Sequence, residues 1–195
     1  IAGLHAGEVR LGAGPTACTY LLPATLSAYR AAHPGVRFFL KEAHTPVTWD
    51  ALGRGDLDLG LVTGTTVPEG PGWWTAEPCI DDELVVVRGP DPTVTGWICF
   101  PRGSALRGIL DDAFDEPDVV MELGSIAAIK GNVRAGVGRA LMSISAVQRD
   151  LEDGSLVLEH DPRTPIHRTL YLVHRGVDRL PPAAAEMRRL WGGGS

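Results

Sequence analysis

The sequence predicts an α/β protein built as two lobes, each an alternation of short strands and helices. Residues 8–62 read as β-α-β-α-β, and a second alternation begins near Trp97. Between them stands the turn-rich run Arg88-Gly89-Pro90-Asp91-Pro92, a composition that punctuates one unit from the next. At 195 residues, with 44% hydrophobic and 22% charged, the chain suits one large or two small lobes and excludes a disordered segment.

The elements follow from periodicity. Val9 and Leu11 alternate with Glu8 and Arg10 as a strand that Gly12-Ala13-Gly14-Pro15 ends. Leu22, Leu26 and Tyr29 then form a helical stripe over Tyr20 to Ala32, with Pro23 in the first turn and Pro34-Gly35 as the stop. Val36, Phe38 and Leu40 alternate as the second strand, Thr45 N-caps a helix with Pro46 at its first position, and Gly55 ends it. Leu57, Leu59, Leu61 and Val62 form a third, more buried strand before the Gly/Pro/Thr-rich stretch to Gly72. Leu84 to Val87 is apolar and strand-like, as is Trp97 to Phe100. Ser104 caps a helix whose Leu106, Ile109, Leu110 and Ala113 share a face, and Val119, Met121 and Leu123 alternate as the next strand. Ser125 caps a helix to Ala135 that Gly136 closes, followed by apolar Leu141 to Ile144 and a helix from Ser145 to Glu152. Strands at Leu156 to Leu158 and Thr169 to His174, and a helix from Pro181 to Leu190, complete the chain, the last pair rejoining the first lobe. Two such lobes set strand ends and helix N-termini along one crevice, a natural small-molecule site.

Composition narrows the function. Eighteen Lys+Arg against 24 Asp+Glu leave a formal charge of −6, so the chain has no general electrostatic means of holding nucleic acid by its phosphates. No run approaches the roughly 18 apolar residues that span a bilayer, and residues 1–10 lack an export pattern, which reads as a cytoplasmic chain that makes no use of a membrane. Cys18, Cys79 and Cys99 show no Cys-x-x-Cys spacing, and His5, His33, His44, His160, His167 and His174 no close helical pair, so neither metal nor cofactor is expected.

Motifs carry two readings each. Gly12-Ala-Gly14-Pro-Thr-Ala17 matches the glycine spacing of a dinucleotide loop, but the helix starts too late for it and the next acidic residue, Glu42, falls beyond the expected distance of about 20 residues. Thr16, Thr45, Ser104 and Ser125 each precede a helix, where a hydroxyl either caps its own helix or faces a ligand, and free N–H groups there suit a carboxylate. Arg102 offers a planar fork for the same anion, or is a plain surface arginine. With no G-x-S-x-G elbow and no Ser-x-x-Lys, catalysis gains no support and no catalytic residue is assigned. Asp56 and Asp58 share a strand face as solvated or turn-capping groups, Trp73-Trp74 is a stacking platform or a piece of core, and Cys99 is a buried thiol with nothing adjacent to lower its pKa.

In order along the chain, Val9-Arg-Leu-Gly12, Leu21-Leu-Pro23, Tyr29-Arg30, His33-Pro-Gly-Val36, Gly55-Asp-Leu-Asp-Leu-Gly-Leu61, Phe100-Pro-Arg-Gly-Ser-Ala-Leu-Arg107, Ala135-Gly-Val-Gly138, Asp153-Gly154 and Leu170-Tyr-Leu-Val173 resemble the effector-binding domain of LysR-type transcriptional regulators. The resemblance covers essentially residues 7–191. It implies a periplasmic-binding-protein type 2 fold crossed twice, with residues 1–86 plus 167–195 as lobe I and 87–166 as lobe II, and an N-terminal winged helix-turn-helix that this chain does not contain. It further implies a small effector, expected to be anionic, in the interlobe cleft, contacting Thr16 with Ala17, Thr45, the loop Pro101, Arg102, Gly103 and Ser104, and the loop Gly124, Ser125 and Ile126. A homodimer or homotetramer that meets operator DNA only through the missing domain is the implied assembly. A transporter's solute-binding protein and an enzyme are the rival uses of such a fold; the first needs export and the second needs convergent titratable groups.

Overall fold

A computed structural model of the chain describes residues 6–64, 72 and 74–192. Trp73 of the tryptophan pair, His5, and residues 65–71 of the Gly/Pro/Thr-rich stretch lie outside the described residues. The chain divides into two compact units, residues 1–81 with 169–195, and residues 82–168.

In the first unit, β1 (Gly7–Ala13) lies between β2 (Val36–Glu42) and β3 (Leu59–Gly64), parallel to both. The connection from β1 to β2 runs through α1 (Pro23–Ala32), and that from β2 to β3 through α2 (Thr45–Arg54). The two helices cover opposite faces of the sheet. Tyr29 of α1 joins Val9, Leu11, Leu59 and Leu61 in one core, which Ala183, Ala184 and Met187 of the last helix, α6 (Pro182–Gly192), complete. Ala51 and Leu52 of α2 pack with Leu57, Val62, Tyr171 and Val173 in the other. The long strand β4 (Thr75–Arg88) leaves this unit and β9 (Ile166–His174) returns to it, pairing antiparallel with β3 from Gly60↔Val173 to Gly64↔Thr169.

In the second unit, β5 (Trp97–Cys99) and β6 (Val119–Glu122) form a parallel pair, each followed by a helix, α3 (Ala105–Ala113) and α4 (Ile126–Arg134). Strands β7 (Ala140–Ser143) and β8 (Val157–Glu159) flank the end of β4, and α5 (Ile144–Glu152) lies between them in sequence. Trp97, Leu110, Phe114, Leu84 and Leu141 form the core. A buried ion pair, Arg168 on Asp82 at 2.6 Å, receives the Ser143 hydroxyl at 2.6 Å on the other carboxylate oxygen.

Several expectations need correction. The first helix starts at Pro15, not Tyr20, and passes through a π-helical turn at Ala17–Leu21 before α1. Pro23 lacks an N–H and its ring excludes the carbonyl four residues back, so the turn ahead of it widens to the bond from Leu22 N–H to the Ala17 carbonyl. The cap of α2 is His44, at φ −73° and ψ 160°, which puts Thr45 at the first helical position and Pro46 at the second, where an N–H has no helical partner to lose. Leu57 is fully buried but precedes β3. β4 starts at Thr75, nine residues ahead of its apolar core at Leu84, because its polar half was masked by Glu77, Asp81, Asp82 and Glu83. Leu40 of β2 is 37% exposed despite its place in the alternation, since β2 ends the sheet order and has a neighbour on one side alone.

Candidate functional site

Parallel strands deliver their following loops to one edge, and in the first unit that edge is defined by registration. Ala13 and Glu42, the last residues of β1 and β2, are paired, and the Ala43 N–H donates to the Ala13 carbonyl at 2.9 Å. Three residues beyond each pair member stand Thr16 and Thr45. On the other side of β1, Gly60 pairs with Gly12, and three residues beyond Gly60 stands Thr63. Three threonines therefore lie at the carboxyl edge of β2-β1-β3, where the connections diverge to opposite faces, the place at which open parallel sheets bind ligands.

The threonine hydroxyls are uncommitted. Thr16 is 5% exposed and makes no side-chain cap bond, although it occupies the cap position of its turn. Thr45 lies inside α2 and its cap residue, His44, makes no side-chain bond either. The Thr63 hydroxyl is buried without a hydrogen-bond partner among the described residues. A buried donor left unpaired costs about 1–3 kcal/mol, so a ligand that pairs the Thr63 hydroxyl recovers that energy. Ala17, next in sequence, is buried as well, and a Cβ on Gly14 would meet nothing within 4 Å, which leaves open space beside the helix N-terminus.

The second unit repeats the device with different side chains. Cys99 and Glu122 end β5 and β6 as paired residues, and the Leu123 N–H donates to the Cys99 carbonyl at 2.9 Å. Pro101 to Ser104 follows one strand and Gly124 to Ile126 the other. Here the hydroxyls are spent: Ser104 accepts the Arg107 N–H at 3.3 Å and Ser125 the Ala128 N–H at 3.4 Å. Arg102, Gly103, Gly124 and Ser125 are exposed, Ile126 is buried, and Gly103 takes φ +88° with open space where a Cβ would point. For these two serines the capping role stands; for the two threonines it does not.

Sequence reasoning missed Thr63 and Arg107. Thr63 was hidden at the start of a loop-like run, and the Gly12↔Gly60 registration places it, one residue short of the level of Thr16 and still within β3, at the same end of the sheet. Arg107, 4% exposed on α3, pairs with Asp111 at 2.8 Å and Glu122 at 3.1 Å and donates to the Cys99 sulfur at 3.6 Å. Burial pushes the Cys99 thiol up against the opposing pull of Arg107, so the expectation that nothing adjacent lowers it is corrected, while the thiol stays protonated. Burial likewise pushes Cys18 up to about 11 and Cys79 up to about 12. Asp58 is not solvated: it is 4% exposed, paired with Arg10 at 2.6 Å, and it accepts the Arg10 N–H at 2.9 Å. Trp74 meets Trp49 edge-on, centroids 3.7 Å apart, at the margin of the core around Tyr171. Among the described residues no group of three or more His, Cys, Asp or Glu side chains is placed to hold a metal, and no helix is long and apolar enough to cross a membrane.

Comparison with known proteins gives a family model, the LysR substrate binding domain, matching residues 2–191. The uncharacterized HTH-type transcriptional regulator YeiE of Escherichia coli K12 is 30% identical over 196 residues, 91% of this chain and 65% of that protein. The chain thus spans less than two thirds of the length of the curated regulators it matches. Among solved structures, the regulatory domain of CcmR from Synechocystis PCC6803 in complex with 2-PG superposes with a TM-score of 0.83 at 21% identity, covering 96% of each chain. The effector binding domain of QuiR in complex with shikimate gives 0.79 at 19% identity, covering 97% of this chain and 99% of that one. The fold is the two-lobed α/β fold of these domains, of the periplasmic-binding-protein type 2 class.

Proposed function

The chain belongs to the family of LysR substrate-binding domains, and from that premise we propose that it senses a small anionic effector for a cytoplasmic DNA-binding transcription regulator. The observation that carries the reading is the row of uncommitted threonine hydroxyls, Thr16, Thr45 and Thr63, at the carboxyl edge of three registered parallel strands. Hydroxyls donate to a carboxylate or phosphate oxygen, and the helix N-termini beside them add partial positive charge. The effector's anionic group sits on Thr16, Thr45 and Thr63 of the first unit; in the second unit the loops Pro101–Ser104 and Gly124–Ile126 offer backbone N–H groups, and Arg102 a charge of the sign an anion needs. The shikimate bound by QuiR and the 2-PG bound by CcmR support a small acid as the class. Differential affinity for two conformational states turns binding into regulation. The regulator works as a homodimer or homotetramer paired through α1 and α3, and DNA is held by a domain outside this chain.

A thermal-shift and calorimetric screen of small carboxylates and phosphate monoesters, starting with shikimate, tests the reading. On the best hit, Thr16→Val, Thr45→Val and Thr63→Val each weaken binding by about 1–3 kcal/mol with the fold retained. Ser104→Ala and Ser125→Ala instead lower stability by about 1 kcal/mol through lost caps and leave affinity closer to the parent. Equal affinity of all three valine variants and the parent overturns the assignment.

A further inference from the structure

The parallel pair β5–β6 carries both loops that the effector reading uses in the second unit, yet it is short and irregular. Trp97 pairs with Val119, but Ile98 pairs with Met121 and Cys99 with Glu122, so Val120 stands as an extra residue bulged out of the ladder. Three pairs and a bulge specify a register weakly. Without the bulge, Cys99 would face Met121, and the Gly124–Ile126 loop would move past the Pro101–Ser104 loop by one residue, about 3.3 Å.

One side chain touches both members of the last pair. Arg107 of α3, 4% exposed, donates from Nη1 to the Glu122 carboxylate at 3.1 Å and to the Cys99 sulfur at 3.6 Å. Its Nε donates at 2.8 Å to Asp111, one turn on along the same helix, and its backbone N–H donates at 3.3 Å to Ser104, which closes the first loop. A buried guanidinium is costly unless carboxylates pair with it. In the unbulged register the residue opposite Cys99 is Met121, a weak acceptor, and alternation turns Glu122 to the other face of its strand. The charge of Arg107 is met from β6 in one register and not in the other.

We propose that Arg107 is a positioning residue that pins the bulged register of β5 and β6, and so sets the Pro101–Ser104 and Gly124–Ile126 loops at one level for the effector. The inference rests on the effector reading above and adds the residue that shapes its loops in the second unit. Arg107 does not reach the effector: its side chain is buried and its donors are engaged by Asp111, Glu122 and Cys99. Loops held in the binding geometry beforehand bind more tightly than loops that a ligand must order.

Amide hydrogen exchange by NMR on the unliganded chain tests the register. The Leu123 N–H, bonded to the Cys99 carbonyl at 2.9 Å, reports it; the Ile98 N–H on the Arg139 carbonyl at 2.8 Å and the Phe114 N–H on the Leu110 carbonyl at 2.9 Å report the rest of the unit. In Arg107→Met and in Glu122→Leu, protection of Leu123 is expected to fall about tenfold or more relative to Ile98 and Phe114. The Glu122 side chain is 42% exposed, so its variant keeps the fold even where the arginine variant does not. Asp111→Asn acts on the same guanidinium from outside the strand pair and leaves the Leu123 ratio within about twofold of the parent. Equal loss at all three amides, or no loss at Leu123, overturns the proposal. In calorimetric titration with shikimate, Arg107→Met and Glu122→Leu weaken binding about tenfold while Asp111→Asn stays near the parent; a selective loss at Leu123 with parental shikimate affinity also overturns it. The exchange measurement needs no ligand, so it decides the register whether or not the effector reading stands. A Thr16→Val variant of parental shikimate affinity refutes the threonine site alone.

Discussion

Thr48 shows how one hydroxyl fits a helix against a sheet. It is fully buried on α2 with its oxygen unpartnered, and its methyl would lie 2.6 Å from a Cβ on Gly60 and 3.3 Å from one on Gly12. The two glycines of β1 and β3 are therefore what lets α2 approach the parallel strands, and Thr48 contributes volume rather than a hydrogen bond. Thr48→Val is expected to leave stability unchanged or raise it by up to about 1 kcal/mol in urea unfolding, since an unsatisfied hydroxyl is replaced by an isosteric methyl. Gly60→Ala is expected to lose about 1–3 kcal/mol, because Thr48, Val173 and Leu52 all lie within 3.1 Å of the added carbon and none can swing away freely. A stabilised Gly60→Ala variant in the same unfolding experiment would contradict this packing.

Helices α4 and α5 are tied by Asp150, 4% exposed, which receives Lys130 at 2.6 Å and Arg134. Burial works to raise the Asp150 pKa, but Lys130 and Arg134 outweigh it and hold the carboxyl below its ordinary value of 3.8. With a folded pKa below the unfolded one, the stabilisation is present above about pH 4 and is lost as pH falls through the folded value. Asp150→Asn is expected to unfold in acid with a shallower loss between pH 4 and 2 than the parent, by circular dichroism, and Asp150→Ala to cost about 3 kcal/mol or more at neutral pH by leaving the buried charge of Lys130 without its carboxylate. At this scale the sequence was readable where the signal is local. The stripe Leu106, Ile109, Leu110, Ala113 and the caps Ser104 and Ser125 mark α3 and α4 to within a residue. It failed where tertiary context decides: the polar first half of β4 is strand because β9 and its neighbours pair it, and Pro23 widens a turn that periodicity alone places inside a regular helix. The candidate site was readable as loops ahead of helices, yet which hydroxyls are free and which are spent on caps depends on a shift of one residue at His44–Thr45 that no propensity distinguishes.

For the whole molecule, the formal charge of −6 sets a clear expectation. This chain by itself does not retard random-sequence duplex DNA at physiological salt, because no counterions are released to drive binding; salt-sensitive retardation in a gel-shift titration would refute that. The division into residues 1–81 with 169–195, and 82–168, also has a temporal side. Synthesis is vectorial, so residues 82–168 leave the ribosome as a complete unit while β3 still lacks its antiparallel neighbour β9 and the core under α1 still lacks Ala183, Ala184 and Met187. The unit that holds β1, β2 and β3 is thus the later of the two to finish. For as long as about 27 further residues take to emerge, a few seconds at roughly 5–20 residues per second, the edge of β3 is open to chaperones and to mispairing. A nascent chain stalled after Arg168 should resist protease across residues 82–168 and remain cleavable through β1, β2 and β3.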